Sequence, residues 1–254
     1  MTPPILVEYD GPVLRITFDR PERLNALTTE MLTLAADAVE TAGKGTGVRV
    51  VVLAGAGRAF SAGADLGGKT LPGVDTIDAA NRLTLALREI PQPVLAAVGG
   101  PAVGVGCSLA LAADVTVARA STYFLLAFVQ VGLMPDGGAT ALLPSAIGRA
   151  RATRMAMLAE RVPAPLAAEW GLITHSVPDD TFDDEVERLT RQLAGGPTAA
   201  FARTKHALNA SSLPQLRSAL AVEREGQADL FTTADFAEGV AAFREKRDPE
   251  FSGK

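Results

Sequence analysis

The stretch that decides the fold runs from Val50 to Asp65 and reads VVVLAGAGRAFSAGAD. Its beginning belongs to a β-branched run from Val48 to Leu53, apolar except for Arg49, which is typical of a strand covered on both faces of a parallel sheet. From Gly55 onward the stretch is rich in glycine, which lets main-chain N–H groups face a ligand without an intervening side chain. The segment therefore predicts a buried strand that ends in a ligand-binding turn.

A second segment repeats this arrangement further along the chain. The run from Val94 to Val98 predicts another buried strand, and the glycine-rich turn from Gly99 to Cys107 leads into a predicted helix, whose N-terminus favours negative charge. Two such turns at one sheet edge can direct two N–H donors at a single oxygen, which is an oxyanion hole. The same glycines can instead serve only tight turns and close packing.

Outward from these segments, predicted strands alternate with predicted helices. Ile5 to Tyr9 and Val13 to Phe18 predict a hairpin, because Asp10-Gly11 between them is a strong turn signal. Apolar residues at helical spacing follow from Met31, and the strand–helix–strand order predicts an α/β fold with a largely parallel sheet. No further strand is expected beyond about Gly148.

The C-terminal part of the chain has only helical patterns. We therefore expect a β/α core over residues 1–195 and a helical region over residues 196–254. Phe236, Val240 and Phe243 form an apolar stripe on one predicted helix, which is too short to bury that stripe alone. The stripe is expected to pack on the core or on a neighbouring subunit.

Composition excludes several classes of protein. The 254 residues carry 24 basic and 29 acidic side chains, a formal charge of −5, which argues against a nucleic-acid-binding protein. The single cysteine excludes an intrachain disulfide and a Cys-rich metal site. No apolar run approaches the roughly 20 residues of a membrane span, and no positive stretch precedes the first apolar residues as in a secretory signal. We expect a soluble, cytoplasmic protein.

Five motifs, in order along nearly the whole chain, resemble the enoyl-CoA hydratase/isomerase (crotonase) superfamily. They are DRPERLNAL from Asp19, RAFSAGADL from Arg58, AVGVGCSLA from Ala102, GLMPDGGAT from Gly132 and DFAEGVAAFREKR from Asp235. The resemblance implies a crotonase-like spiral of ββα units with a helical C-terminal trimerisation region. It also implies an acyl-CoA thioester substrate and a homotrimer or a hexamer built as a dimer of trimers. Neither a metal nor a cofactor is expected, because coenzyme A is part of the substrate.

The resemblance also implies roles for individual residues. The oxyanion donors are the main-chain N–H groups of Ala64 and Val105. Arg23 and Arg58 match basic residues near the coenzyme phosphates, and Phe243 and Lys246 match positions that reach the coenzyme of a neighbouring subunit; all four could instead be solvated charges or core packing. The remaining residues assigned to substrate binding lie in the same motifs: Leu24, Ala62, Asp65, Leu66, Gly104 and Phe128. Asp65 could also cap a turn or make a buried polar contact.

The acid/base residues of this chain depart from the hydratase pattern. Hydratases of the superfamily use two glutamates, and Ser108 and Phe128 stand at the matching positions. Neither side chain can orient water and deliver a proton at neutral pH. Asp136 remains, at a position where isomerases of the superfamily can carry a catalytic aspartate. Pro-Asp-Gly is also a turn signal by itself, so Asp136 could be structural.

These residues leave more than one function open. The expected activity is a double-bond shift in an enoyl-CoA, through an enolate held in the oxyanion hole with Asp136 as proton shuttle. The alternatives are a hydratase with atypical acid/base groups and a non-catalytic acyl-CoA-binding protein. A serine hydrolase with Ser108, Asp136 and His175 matches less well, because the elbow sequence GCSLA ends in alanine where glycine is required.

Overall fold

The computed structural model describes residues 3–45, 47–68 and 70–254. Residues 1 and 2, on which the expectation of no secretory signal partly rests, lie outside this description. The strands are β1 (Ile5–Asp10), β2 (Val13–Phe18), β3 (Val50–Gly55), β4 (Val94–Val98), β5 (Ala102–Val103), β6 (Val115–Arg119), β7 (Tyr123–Leu125), β8 (Val162–Pro163) and β9 (His175–Val177). The helices are α1 (Thr29–Gly43), α2 (Val74–Glu89), α3 (Val105–Leu111), α4 (Ala139–Leu158), α5 (Ala164–Trp170), α6 (Phe182–Gly195), α7 (Thr198–Ser212), α8 (Leu216–Leu230) and α9 (Ala234–Glu245), with 3-10 helices at Pro21–Arg23 and Phe128–Val131.

The main sheet has the strand order β1-β2-β3-β4-β6-β9. The hairpin of β1 and β2 is antiparallel, as the turn signal predicts, and the other neighbouring strands of this sheet pair in parallel. A parallel sheet is stable when both faces are covered. Here Val51 and Leu53 of β3 join one apolar cluster with α1 and α2, whereas Val50 and Val52 join a second cluster with α6.

A smaller sheet, ordered β5-β7-β8, carries the second strand of each repeating unit. Strand β4 of the main sheet leads to β5 and then α3, and β6 leads to β7 and then α4. These successive strand–strand–helix units form the ββα spiral that the family resemblance implies. The first glycine-rich turn follows β3, and the second lies between β4 and the start of α3.

The expectation that strands stop near Gly148 is wrong. β8 adds to the small sheet, and β9 pairs in parallel with β6 through His175 and Val117. Both strands are short, and the three residues of β9 are only half-buried, so they show neither an apolar run nor an alternating pattern. Their strand conformation is imposed by distant partners that a local pattern cannot reveal.

The apolar stripe on α9 is covered by the same chain. Phe236 and Val240 are buried against the 3-10 helix Phe128–Val131, where a Cβ added to Gly239 would lie 2.6 Å from the backbone of Val131. Phe243 remains exposed. The stripe therefore does not require a second subunit. None of the helices within the described residues is long and apolar enough to cross a membrane.

Candidate active site

The two glycine-rich turns meet at Gly63 and Gly104. The turns are joined just before this point by a parallel bridge between Ser61 and Ala102, in which the Val103 N–H donates to the Ser61 carbonyl at 2.9 Å. Gly63 has a φ of +91°, and a Cβ there would lie 3.0 Å from the Val103 carbonyl oxygen. Glycine is needed at this position both for its backbone conformation and for the close approach.

The residues that follow these two glycines are Ala64 and Val105. Within the described residues, neither main-chain N–H has a hydrogen-bond acceptor. The Leu27 N–H donates to the Gly63 carbonyl, and the Leu27 carbonyl accepts the Asp65 N–H. Neither hydrogen bond involves the N–H of Ala64. Val105 is the first residue of α3, where an N–H has no intrahelical partner. Both predicted oxyanion donors are therefore available to a ligand.

A cavity of about 730 Å³ lies over these two amides. Its walls are mostly apolar and come from the glycine turns, from α2, from the 3-10 helix Phe128–Val131 and from the C-terminal helices. Eight of the predicted site residues line it: Ala62, Ala64, Leu66, Gly104, Val105, Phe128, Asp136 and Phe243. Phe128 lies beside the second turn, 3.9 Å from where a Cβ of Gly104 would be.

Asp136 is a buried acidic residue in the lining of this cavity. It lies between the 3-10 helix Phe128–Val131 and α4, and its main-chain carbonyl accepts a hydrogen bond of 2.7 Å from the Ser108 hydroxyl. The residue is 7% exposed. Its Oδ2 accepts a hydrogen bond from Gln227 Nε2 at 2.9 Å, whereas its Oδ1 has no partner within the described residues.

The surroundings of Asp136 change its ionisation. Burial raises the pKa of Asp136 from 3.8 to about 7, the hydrogen bond from Gln227 opposes this rise, and the negative charge of Glu223 adds to it. Burial has the largest effect because a carboxylate loses its hydration in an apolar cavity. Near neutral pH both protonation states of Asp136 are therefore populated, whereas an exposed aspartate is almost fully ionised.

Glu223 and Gln227 of α8 are site residues that the sequence analysis misses. Both are fully buried, and Glu223 accepts hydrogen bonds from the Gly138 N–H at 2.7 Å and the Thr140 N–H at 2.8 Å. A signal exists in the sequence: the two polar residues continue the helical face that Leu216 and Leu220 begin. Polar residues on an apolar stripe indicate buried partners elsewhere in the chain.

Five predicted binding residues do not line the cavity: Arg23, Leu24, Arg58, Asp65 and Lys246. The carboxylate of Asp65 is paired with Arg20 at 2.9 Å and accepts the Gly67 N–H at 3.1 Å, which matches the alternative role of a buried polar contact. Leu24 contributes through its main-chain carbonyl, which accepts the Ala62 N–H. Arg23 and Arg58 are exposed near the first turn, and their assignment to the coenzyme stays a prediction.

The serine-hydrolase arrangement is not assembled. The Ser108 hydroxyl donates to the main-chain carbonyl of Asp136, not to a histidine, and it is fully buried. His175 lies in β9, paired with Val117 of β6. Ser108 therefore anchors the loop that carries Asp136.

Comparisons with known proteins agree with this geometry. A profile described as enoyl-CoA hydratase/isomerase matches residues 8–254. Over 243 residues the chain is 45% identical to a Rhodobacter capsulatus protein named "Probable enoyl-CoA hydratase", with 94% of each chain covered. Over 258 residues it is 38% identical to the 1,2-epoxyphenylacetyl-CoA isomerase of Escherichia coli, with 98% of each covered.

A solved structure shows the same fold. The crystal structure of an enoyl-CoA hydratase from Mycobacterium avium subsp. paratuberculosis K-10 matches with a TM-score of 0.94 at 45% identity, over 98% of this chain and 99% of that one. The family profile covers nearly the whole chain, and the ββα spiral agrees with it. The chain therefore belongs to the enoyl-CoA hydratase/isomerase family and has the crotonase fold.

Proposed function

We propose that this protein is an isomerase that shifts the double bond of an enoyl thioester of coenzyme A. Asp136 is the proton shuttle, and the main-chain N–H groups of Ala64 and Val105 hold the thioester oxygen. Within the part of the chain that the structure describes, a buried carboxyl group with an unpartnered Oδ1 shares one cavity with two amides that have no acceptor, and this observation carries the proposal. A base and an oxyanion hole are the two devices that such a reaction needs.

The reaction is a proton transfer between two carbons. The ionised Asp136 removes a proton from the α-carbon of a β,γ-enoyl thioester, and the electron pair of the broken C–H bond delocalises onto the thioester oxygen as a dienolate. The two amides stabilise that negative oxygen. Asp136 then returns the proton to the γ-carbon, which leaves the double bond between the α- and β-carbons and restores the carboxylate. One base is sufficient, and no cofactor takes part.

The ionisation of Asp136 supports this role. A group that both accepts and returns a proton works best when its pKa is near the working pH. The pKa of about 7 at Asp136 meets this requirement, whereas an ordinary carboxyl near 3.8 would be a weaker base. The rate is therefore expected to rise with pH through about 7, as Asp136 ionises.

Hydration is the second candidate, favoured by the names of some relatives, such as "Probable enoyl-CoA hydratase". The residues at the two positions that match the hydratase glutamates argue against hydration. The hydroxyl of Ser108 is committed to a main-chain carbonyl, and Phe128 presents an apolar ring to the cavity. The relative named 1,2-epoxyphenylacetyl-CoA isomerase supports isomerisation instead.

The same cavity supports an apolar acyl group on the substrate. Leu66, Leu125 and Phe128 are among its walls, and Arg23 and Arg58 are exposed cations near the first turn that can pair with coenzyme phosphates. Phe243 and Lys246 at the end of α9 are the further residues proposed to contact the coenzyme.

A panel of enoyl-CoA thioesters tests the proposal directly. β,γ- and α,β-enoyl thioesters with straight, branched and ring-bearing acyl groups are incubated with the protein, and double-bond migration is followed separately from water addition. We expect migration without net hydration for at least one acyl class. Hydration without migration would make the protein a hydratase, and tight binding without either reaction would make it a non-catalytic acyl-CoA-binding protein.

A further inference from the structure

We propose that Gln227 is a positioning residue for Asp136: it holds one carboxylate oxygen, leaves the other free for proton transfer, and favours the ionised base. This inference rests on the proposed role of Asp136. It extends the site to α8, a helix that lies more than 80 residues from the glycine turns along the chain.

The two ends of the Gln227 amide are both engaged. Nε2 donates to Asp136 Oδ2 at 2.9 Å, and Oε1 accepts the main-chain N–H of Met134 at 3.3 Å. Since a main-chain N–H can only donate, the Met134 contact fixes the orientation of the amide and turns its NH2 group toward the carboxylate. Asp136, which lines the cavity, is thereby held with an Oδ1 that has no partner among the described residues.

No other donor within the described residues reaches the Asp136 carboxylate. The neighbouring hydroxyl of Ser108 donates to the main-chain carbonyl of Asp136. The charged group that acts on Asp136 is Glu223, whose negative charge opposes ionisation, as burial also does. A hydrogen bond to the charged form of a carboxyl stabilises that form. Gln227 is therefore the group that keeps Asp136 able to ionise at neutral pH.

Glu223 has a separate task on the same helix. One turn before Gln227, it accepts the N–H groups of Gly138 and Thr140, which follow Asp136 in the chain. Met134 and the Gly138–Thr140 segment flank Asp136 on its two sides. α8 thus holds the backbone of the loop through Glu223 and the carboxylate through Gln227.

The test uses two apolar replacements of similar size, Gln227→Met and Gln227→Leu. If one of them fails to fold, the other still tests the inference. Gln215→Met is the matched control, because Gln215 is exposed at the start of the same helix. Two quantities are measured over a pH series in the full-length protein. One is the rate of double-bond migration, and the other is the ionisation of Asp136, followed by the carbon-13 signal of its carboxyl group and assigned with Asp136→Asn.

We expect the midpoint of both titrations to move upward by about one pH unit in the Gln227 variants, the size expected for one lost hydrogen bond to a buried carboxylate. The rate at pH 7 then falls about fivefold and approaches the wild-type rate near pH 9. Gln215→Met leaves both midpoints unchanged. An unchanged Asp136 midpoint in a folded Gln227 variant, with an equal loss of rate at every pH, would overturn the inference.

The two readouts separate this inference from the proposed function. A shifted carboxyl titration in a protein that isomerises no enoyl thioester would leave the role of Gln227 standing and refute the activity. An unshifted titration in an active isomerase would refute the role of Gln227 alone.

Discussion

At Asp136, burial and hydrogen bonding act on one carboxyl group in opposite directions. Burial raises its pKa to about 7, although Gln227 donates to Oδ2. The raised pKa makes Asp136 a useful base near neutral pH. The ionised form lowers the stability of the folded protein, because a buried carboxylate is not fully hydrated. Proteins commonly lose stability at a site that chemistry requires.

Asp136→Asn is therefore expected to stabilise the protein in alkaline solution. The pKa of Asp136 is higher in the folded protein than the ordinary 3.8. The contribution of Asp136 to the free energy of unfolding is therefore fully present below about pH 4, and it is lost as the pH rises to about 7. Asparagine does not ionise and avoids this loss. Above pH 7 the variant should gain up to about 4 kcal/mol in free energy of unfolding.

Thermal unfolding measured from about pH 4 to pH 9 checks this expectation. The Tm difference between Asp136→Asn and wild type should grow from about pH 4 to about pH 7 and then level off. Asp180→Asn is the control, because Asp180 is exposed, and its Tm difference should not show this rise. A constant Tm difference for Asp136→Asn across the series would show that Asp136 titrates normally.

Val105→Pro removes one proposed oxyanion donor with little effect on α3. Proline is well accommodated at the first position of a helix, where Val105 lies. Loss of one such donor typically costs about 100- to 1000-fold in kcat. Val105→Ala, which shortens the side chain and keeps the N–H, should retain most of the isomerisation rate. Equal losses in the two variants, with unchanged circular dichroism, would assign the effect to the side chain.

Among the elements, α9 and the 3-10 helix Phe128–Val131 are in unusually close contact. Gly239 of α9 lies against Val131, and Gly132 lies against Asp235, where a Cβ would be 2.8 Å from the Asp235 carbonyl carbon. The contact closes one side of the cavity, because Phe128 and Val131 line it from one element and Ala242 and Phe243 from the other.

Gly239→Ala should therefore separate these two elements. An added Cβ at 2.6 Å from the Val131 backbone cannot be relieved by a side-chain rotation, so α9 must move. Overpacking of this kind destabilises by about 1–3 kcal/mol. Gly195→Ala is the matched control, since nothing lies within 4 Å of a Cβ at the end of α6. Denaturant unfolding measures both, and equal stabilities of the two variants would contradict the close contact.

The elements also show which part of the fold a single sequence can predict. β3 and β4 can be predicted from their own residues, because each strand is buried on both faces and is therefore apolar along its length. Alternate side chains of each strand belong to the two apolar clusters on the two faces of the sheet. β9 is not recognisable, because three half-buried residues become a strand only through β6. The helical spacing of α8 indicates that Glu223 and Gln227 are buried, but it cannot identify their partners, which lie in the loop around Asp136.

At the scale of the whole molecule, large apolar side chains remain on the surface of the helical region and of α4. They include Met157, Leu158, Leu208 and Val222. We expect them to be part of the surfaces that join subunits in a trimer or a dimer of trimers. Light scattering at micromolar concentration should give three or six times the mass of one chain, and a clean monomer would contradict this expectation.

The sequence is most informative about the candidate site where the site depends on the backbone. Gly63 and Gly104 mark the two turns because both have a positive φ that favours glycine, and the amides of Ala64 and Val105 follow them directly. Asp136 was predicted through the family resemblance, since its own sequence context also matches a simple turn. An apolar pocket beside Phe128 predicts the direction of its pKa shift. The size of the shift could not be predicted, because burial by distant elements and the hydrogen bond from Gln227 exist only in the folded chain.

The central claim is that Asp136 is the sole proton shuttle. The most direct measurement compares Asp136→Asn with wild type in the rate of double-bond migration and, separately, in the affinity for a non-reacting acyl-CoA. Asparagine keeps the shape and the turn but cannot accept the proton, so the rate should fall by at least about 100-fold, while the affinity changes less than about tenfold. Retention of more than about half the wild-type rate in a folded Asp136→Asn variant would contradict the account and make Asp136 a structural residue.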